Sequence, residues 1–247
     1  MKEFSVDILG YWGGFPVDGG ATSSYLMTTD KGRVLIDCGS GSLSKLSEMQ
    51  PVEDLDGLIL SHLHNDHIAD IKTVEHSLIV AKRRGLREKA LPLYCPREPV
   101  QIFDWLQSDY FSHVDISNPT KYQIIGADVS FIPVRHTVPC FGIKIEYGRK
   151  SLFYTGDTEY FPSLANEIEG VDLLICEATI ATASRHTSGK GHMDGYQAGR
   201  LAQLAGVKQL ILTHLPSDGF HQTIKEEAQK EFEGPVFLAS EKSHWQV

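Results

Sequence analysis

Short apolar runs broken by glycine and polar clusters recur along the chain, and their period predicts more strand than helix. Residues 4–10, 24–28 and 33–36 read as early strands separated by the turns at Gly13-Gly14 and Gly19-Gly20, a spacing that predicts antiparallel pairs. Residues 58–61 form the next strand. A helix is predicted over 68–84, a strand over 93–95, a helix over 100–106, and then a linking stretch through Asn118-Pro119. The second half repeats the style, with strands at 129–134, 142–147 and 151–154 and a hairpin turn at Gly148-Arg149-Lys150. The runs 173–176, 209–212 and 236–238 are continuously apolar, as in strands buried on both faces, with helices predicted over 195–205 and 223–232. Strands dominate each half and helices are interspersed, which predicts an α/β chain of two sheets face to face, covered by helices outside.

Composition narrows this picture. The 247 residues are 41% hydrophobic, enough for a sizeable core, and no Pro/Gly/Ser-rich linker divides them, so 1–247 is expected to be one domain. The first seven residues lack an apolar signal core, and no apolar run approaches the roughly 18 residues of a membrane span, which predicts a cytoplasmic protein with no membrane partner. Cys38, Cys95, Cys140 and Cys176 are far apart with no C-x-x-C spacing, so reduced, buried thiols are expected. The net charge of −9 counts against broad, nonspecific adhesion to nucleic acid. A small anionic substrate drawn in by cations is compatible with it.

The candidate chemistry begins where strand 58–61 ends. His62, His64, Asp66 and His67 spell H-x-H-x-D-H within six positions. In an extended segment His62 and His64 point the same way and can share one ion, whereas Asp66 and His67, at the first turn of a following helix, can face a second. Such a cluster is costly to desolvate unless a cation compensates, and imidazole with carboxylate suits zinc, manganese or iron. His136, Asp157 and His214 each stand just past another apolar strand, in the same kind of place.

The order H-x-H-x-D-H, then His, then T-G-D, then T-H resembles the metallo-β-lactamase superfamily over nearly the whole chain, and the opening Gly-Gly-Ala-Thr-Ser-Ser-Tyr-Leu with Val34 to Gly39 behind it is similar to that family's N-terminal sheet. The resemblance implies a four-layer αββα sandwich with a dinuclear site along one edge. By motif matching, one ion is held by His62, His64 and His136, the other by Asp66, His67 and His214, with Asp157 bridging. Two divalent ions are implied, zinc first, with manganese and iron as alternatives. Asp37 matches the carboxylate that orients a ligand imidazole through its distal N–H. The commonest dinuclear lactamases have Cys where this chain has Asp157 and usually Arg where it has His67, and flavin-linked di-iron members replace one His of the first motif with Glu. Both readings are disfavoured.

Leu173-Leu-Ile-Cys-Glu-Ala-Thr179 and Lys190-Gly-His-Met-Asp-Gly-Tyr-Gln-Ala-Gly199 look like the two segments that mark the ribonuclease Z and related phosphodiesterase branch, with departures at Cys176 and at Met193-Asp194. The match implies that Glu177 orients His192 and that His192 protonates the leaving oxygen or stabilises charge on the scissile phosphate; with two ions bound, Asp66 could both hold a metal and accept a hydrogen bond from the hydroxide between them. Ribonuclease Z enzymes carry a long arm for transfer RNA between the strand-end His and the bridging Asp, but His136 and Asp157 are only 21 positions apart here. A small phosphodiester is therefore the expected substrate. Transfer-RNA 3′ processing, thiolester or lactone hydrolysis and a non-catalytic metal-binding scaffold are the alternatives, and a homodimer is compatible with the resemblance.

Lys82, Arg83, Arg84, Arg87 and Lys89 read as a solvated helix face. Phe103, Trp105, Leu106, Tyr110 and Phe111 read as helix packing. Residues 182–190 read as a loop leading to His192, whose Arg185, His186 and Lys190 are candidates to touch a substrate phosphate.

Overall fold

The computed structural model describes residues 3–118, 120–182, 190–240 and 242–247. In chain order the first half contains β1 (Phe4–Gly10), β2 (Ser24–Thr29), β3 (Gly32–Ile36), α1 (Ser42–Ser47), β4 (Gly57–Ile59), α2 (Asn65–Ile68), α3 (Ile71–Arg83), β5 (Leu91–Cys95), α4 (Val100–Leu106) and β6 (Phe111–Asp115). The second contains β7 (Tyr122–Ile124), β8 (Ala127–Val134), β9 (Cys140–Tyr147), β10 (Lys150–Tyr154), α5 (Leu164–Glu167), β11 (Leu173–Glu177), α6 (Gly195–Ala205), β12 (Leu210–Thr213), α7 (His221–Glu231), β13 (Val236–Leu238) and β14 (His244–Gln246).

Two seven-stranded sheets result, ordered β14-β1-β2-β3-β4-β5-β6 and β13-β12-β11-β10-β9-β8-β7. Each is antiparallel at one side and parallel at the other: β1, β2 and β3 pair antiparallel and β3 to β6 parallel. Likewise β7 to β10 pair antiparallel and β10 to β13 parallel. The parallel strands are apolar on both faces because alternate side chains enter different cores. From β3, Val34 and Ile36 join the core between the sheets and Leu35 the one beneath α3; from β11, Leu173 and Ile175 face inward and Leu174 and Cys176 outward toward α6. The layers are thus helix, sheet, sheet, helix. Each fully buried Leu, Ile or Val contributes roughly 1.5–3 kcal/mol, and this two-sided burial anchors the strand ends that carry the polar residues.

Several expectations are modified. The helix expected over 68–84 is interrupted: α2 ends at Ile68 and α3 starts at Ile71, because Asp70 spends its N–H on Cys38 O (3.1 Å) and its carboxylate on Leu43 N (3.0 Å). The aromatic stretch is not one helix. Leu106 closes α4, whereas Phe111 opens β6, which pairs parallel with β5. Periodicity does not reveal β6, β7 or β14, which are short and lie at sheet edges. All four cysteines are free and buried, and burial pushes the Cys38 and Cys95 thiols up to about 12, which keeps them inert. Arg185 and His186 lie outside the described residues.

Candidate metal centre

The polar residues singled out in the sequence meet at one edge of the sandwich, at the carboxyl ends of the strands. Asp37 follows β3, the H-x-H-x-D-H segment follows β4, His136 follows β8, Asp157 follows β10, Glu177 ends β11 and His214 follows β12. Adjacent strand ends diverge into loops there, which opens the crevice characteristic of parallel sheets. Asp37 and His214 hold the left-handed backbone region, at φ 55° and 52°, which is uncommon outside glycine and concentrates at functional sites.

Two sets of donors converge. In the first, His64 Nδ1 lies 3.1 Å from His62 Nε2 and 3.0 Å from His136 Nε2, and Asp157 Oδ2 is 3.7 Å from His62 Nε2 and 3.8 Å from His136 Nε2. In the second, His214 Nε2 lies 3.1 Å from Asp66 Oδ2 and 3.3 Å from Asp157 Oδ2, and His67 Nε2 is 3.4 Å from Asp157 Oδ2. Within each set all donor atoms fall within 4.8 Å of one another, and Asp157 belongs to both.

The outward nitrogens of these imidazoles are held individually. His67 Nδ1 donates to Asp37 Oδ2 (2.7 Å) and His136 Nδ1 to the carbonyl of Gly191 (2.8 Å); His62 Nδ1 lies 3.1 Å from Ser61 Oγ and His214 Nδ1 2.6 Å from Thr179 Oγ1. His64 reverses the pattern, with Nδ1 inward and Nε2 3.4 Å from Thr137 Oγ1. Asp37 is fully buried and accepts from Ser61 N, Ser61 Oγ and Tyr154 OH as well, at 2.8–2.9 Å. Tyr154 crosses from the other sheet, so the carboxylate joins the two sheets beneath the site.

The charge states suit cations. Burial, with the charge of neighbouring His67, holds His62 well below the usual imidazole range, and burial also lowers His64 and His136. Burial would raise Asp157, but the charges of His214 and His67 outweigh it and hold the carboxyl well down; Asp66 is held down in the same way, chiefly by its hydrogen bond to His214. Burial opposes charge on His67 too, yet Asp157 and Asp37 push it well up, so that a proton stands where a cation would serve. His67 Nε2 and Asp157 Oδ1 are buried without a hydrogen-bond partner among the described residues. Orphaned atoms of this kind, on residues of a cluster that combines imidazoles with ionised carboxylates, fit divalent metal ions.

Beside the second set lies the acid candidate. His192 Nδ1 is 3.1 Å from Glu177 Oε1; burial lowers the imidazole, but the hydrogen bond and charge of Glu177 override it and raise the group to about 9. Glu177 is fully buried and also accepts from the backbone of Thr158, Met193 and Thr179. Asp194 and Gln197 form a capping box at the start of α6, which fixes the chain just past His192. A cleft of about 330 Å³ opens over the site, bordered by His64, Asp66, His192, His214 and the Gly13-Gly14 turn, whose Gly14 N–H donates to Asp66 Oδ2 (2.9 Å). Sequence reasoning did not single out Thr137, Tyr154, Thr179 or Gly191. Of these, Thr179 and Gly191 stand within two positions of the quoted Glu177 and His192, and that adjacency was the available signal.

Comparisons with known proteins show the family and the fold. A family described as "Beta-lactamase superfamily domain" matches residues 32–215. YhfI of Bacillus subtilis (strain 168), named a probable metallo-hydrolase, is 36% identical over 242 residues, covering 98% of this chain and 99% of that one. The crystal structure of YhfI aligns with a TM-score of 0.93 at 35% identity, over 99% of this chain and 100% of that chain. Ribonuclease Z of Parabacteroides distasonis is 24% identical over 298 residues, covering 96% of this chain and 97% of that protein. A diphosphatase of the PhnP family shares the fold at TM-score 0.77 and 18% identity, over 100% of this chain and 98% of that chain. The strand-end donors, the αββα layers and these matches together place the chain in the beta-lactamase superfamily, with the metallo-β-lactamase fold.

Proposed function

We propose that this chain is a metal-dependent hydrolase of small phosphodiesters, with His62, His64, His136 and Asp157 holding one divalent ion and Asp66, His67, His214 and Asp157 holding a second. When bound, such a pair supplies ionised water near neutral pH and offsets charge on the scissile phosphate. The chain's own residues supply the rest. Asp66, fixed by Gly14 and His214, presents a carboxylate at the floor of the cleft that can orient an attacking water. Glu177 commits Nδ1 of His192, which leaves Nε2 to hand a proton to the departing oxygen.

The observation that carries this reading is the Glu177–His192 pair at 3.1 Å beside the second donor set. Hydrolysis of an acyl ester or lactone at the same donors does not require a separate acid there, whereas expulsion of an alkoxide from a phosphodiester gains from one. Relatives named ribonuclease Z and diphosphatase favour phosphorus esters as well. The positions between His136 and Asp157 form the β9–β10 hairpin within the sheet, which favours a small diester over transfer RNA.

Elemental analysis of the purified protein, followed by a panel of cyclic and linear phosphodiesters, a thiolester, a lactone and a precursor transfer RNA, tests the proposal. Metal-dependent turnover of small diesters is the expected result. Turnover of the thiolester or lactone alone would overturn it, and so would cleavage of the RNA in preference to every small diester.

A further inference from the structure

We propose that Thr179 is a positioning residue that ties His214 to the carboxylate of Glu177, so that a single hydroxyl sets the orientation of a metal-facing ring and of the carboxylate behind the acid. The inference rests on the metal-dependent reading above and adds to it a residue outside both donor sets.

The argument is one of donor and acceptor capacity. Thr179 Oγ1 lies 2.6 Å from His214 Nδ1, 2.9 Å from Glu177 Oε2, 3.1 Å from His214 O and 3.3 Å from His192 Nδ1. A hydroxyl has one proton and two lone pairs. With Nε2 of His214 directed at Asp66 and Asp157, its lone pair is committed to a cation and the ring proton sits on Nδ1, from which it donates to Thr179 Oγ1. The Thr179 proton then goes to the buried carboxylate, since a charge-assisted bond at 2.9 Å outcompetes a carbonyl at 3.1 Å. Glu177 Oε1 accepts from His192 at the other end. The run is His214 to Thr179 to Glu177, with His192 joined to the same carboxylate.

The other side of the site repeats this pattern. Asp37 takes His67 directly at 2.7 Å and His62 through Ser61, whose Oγ lies 3.1 Å from His62 Nδ1 and donates to Asp37 Oδ2 at 2.9 Å. Each buried carboxylate therefore holds one imidazole directly and a second through a hydroxyl. Valine at 179 keeps the shape of threonine and removes the relay.

The test compares wild type, Thr179→Val and Thr179→Ser for zinc stoichiometry and chelator-competition affinity, and for kcat and KM on bis-(p-nitrophenyl) phosphate at saturating zinc. Thr179→Val is expected to hold one of the two ions about 10- to 100-fold more weakly and to lose kcat with KM unchanged, and Thr179→Ser to recover both. Wild-type affinity for both ions in Thr179→Val would overturn the proposal. So would a Thr179→Ser as impaired as Thr179→Val, which would assign the effect to the methyl group. Should wild type bind both ions yet turn over no diester, the phosphodiesterase reading fails while the zinc affinities still decide the role of Thr179.

Discussion

Asp37 Oδ2 accepts the Nδ1 proton of His67 across 2.7 Å, with both side chains fully buried. This contact sets the tautomer of His67 and turns its Nε2, which has no hydrogen-bond partner among the described residues, toward Asp157. Asp37→Ala strands Ser61, Tyr154 and His67 donors in the core, and a loss of about 3 kcal/mol or more in unfolding free energy is expected by urea titration. Tyr154→Phe removes one of those donors and should cost about 1 kcal/mol. Equal losses for the two variants would show that the carboxylate is not the hub.

Removing metal should destabilise the protein. Imidazole nitrogens about 3 Å apart around an ionised, buried Asp157 are compatible with the native fold at a cost that a cation offsets. At a free metal concentration of 100 times Kd the gain is about 2.7 kcal/mol per site. Chelator treatment is expected to lower the melting temperature and zinc to restore it; an unchanged transition on both steps would argue against a metal centre.

His192→Ala should lower turnover by about 10²- to 10⁴-fold while metal content is retained, since the ring stands outside the two sets proposed to hold the ions and shares a separate cluster with Glu177 and His214. The loss should be larger for an alkyl diester than for a p-nitrophenyl one, because p-nitrophenolate departs without a proton more readily than an alkoxide does. Single-turnover assays on the two substrates check this, and equal losses would remove His192 from the role of acid.

Gly191 has φ +86°, and a Cβ there would lie 2.8 Å from His136 Nδ1, the atom that donates to the carbonyl of Gly191 itself. Gly191→Ala combines about 1–2 kcal/mol of left-handed backbone strain with displacement of His136. Weaker binding at the first donor set is expected, read as zinc stoichiometry below that of wild type.

Far from the site, Asp172 accepts from Ser151 N (2.9 Å) and Lys208 Nζ (2.7 Å), and these contacts outweigh burial and hold its carboxyl below the usual range. A carboxylate depressed on folding adds stability that is complete above its unfolded value of about 4 and is lost as pH falls through the lower folded value. Asp172→Asn should therefore be less stable than wild type near pH 7 by about 1 kcal/mol, given the exposed lysines, and the gap should narrow on acidification below pH 4. Urea titrations at the two pH values measure it.

Much of this was legible in the residues themselves. The H-x-H-x-D-H segment announces its donors because six consecutive positions at a strand end can be read without knowing the fold, and the turn at Gly148 is equally local. The continuous apolar runs at β11, β12 and β13 likewise marked strands covered on both faces. The edge strands β6, β7 and β14 were not legible, because their short, partly exposed runs have little period to show.

The amino-acid order alone determined which residue types stand at the strand ends and hence the kind of ion they suit. Tertiary structure decided which atoms face one another: Tyr154 meets Asp37 across 117 positions and His214 meets Asp66 across 148. Hydroxyl partners such as Ser61 and Thr179 are common residues whose one signal in the sequence is adjacency to His62 or Glu177, so their roles emerge only when the packing of two sheets brings separate strand ends within hydrogen-bonding distance.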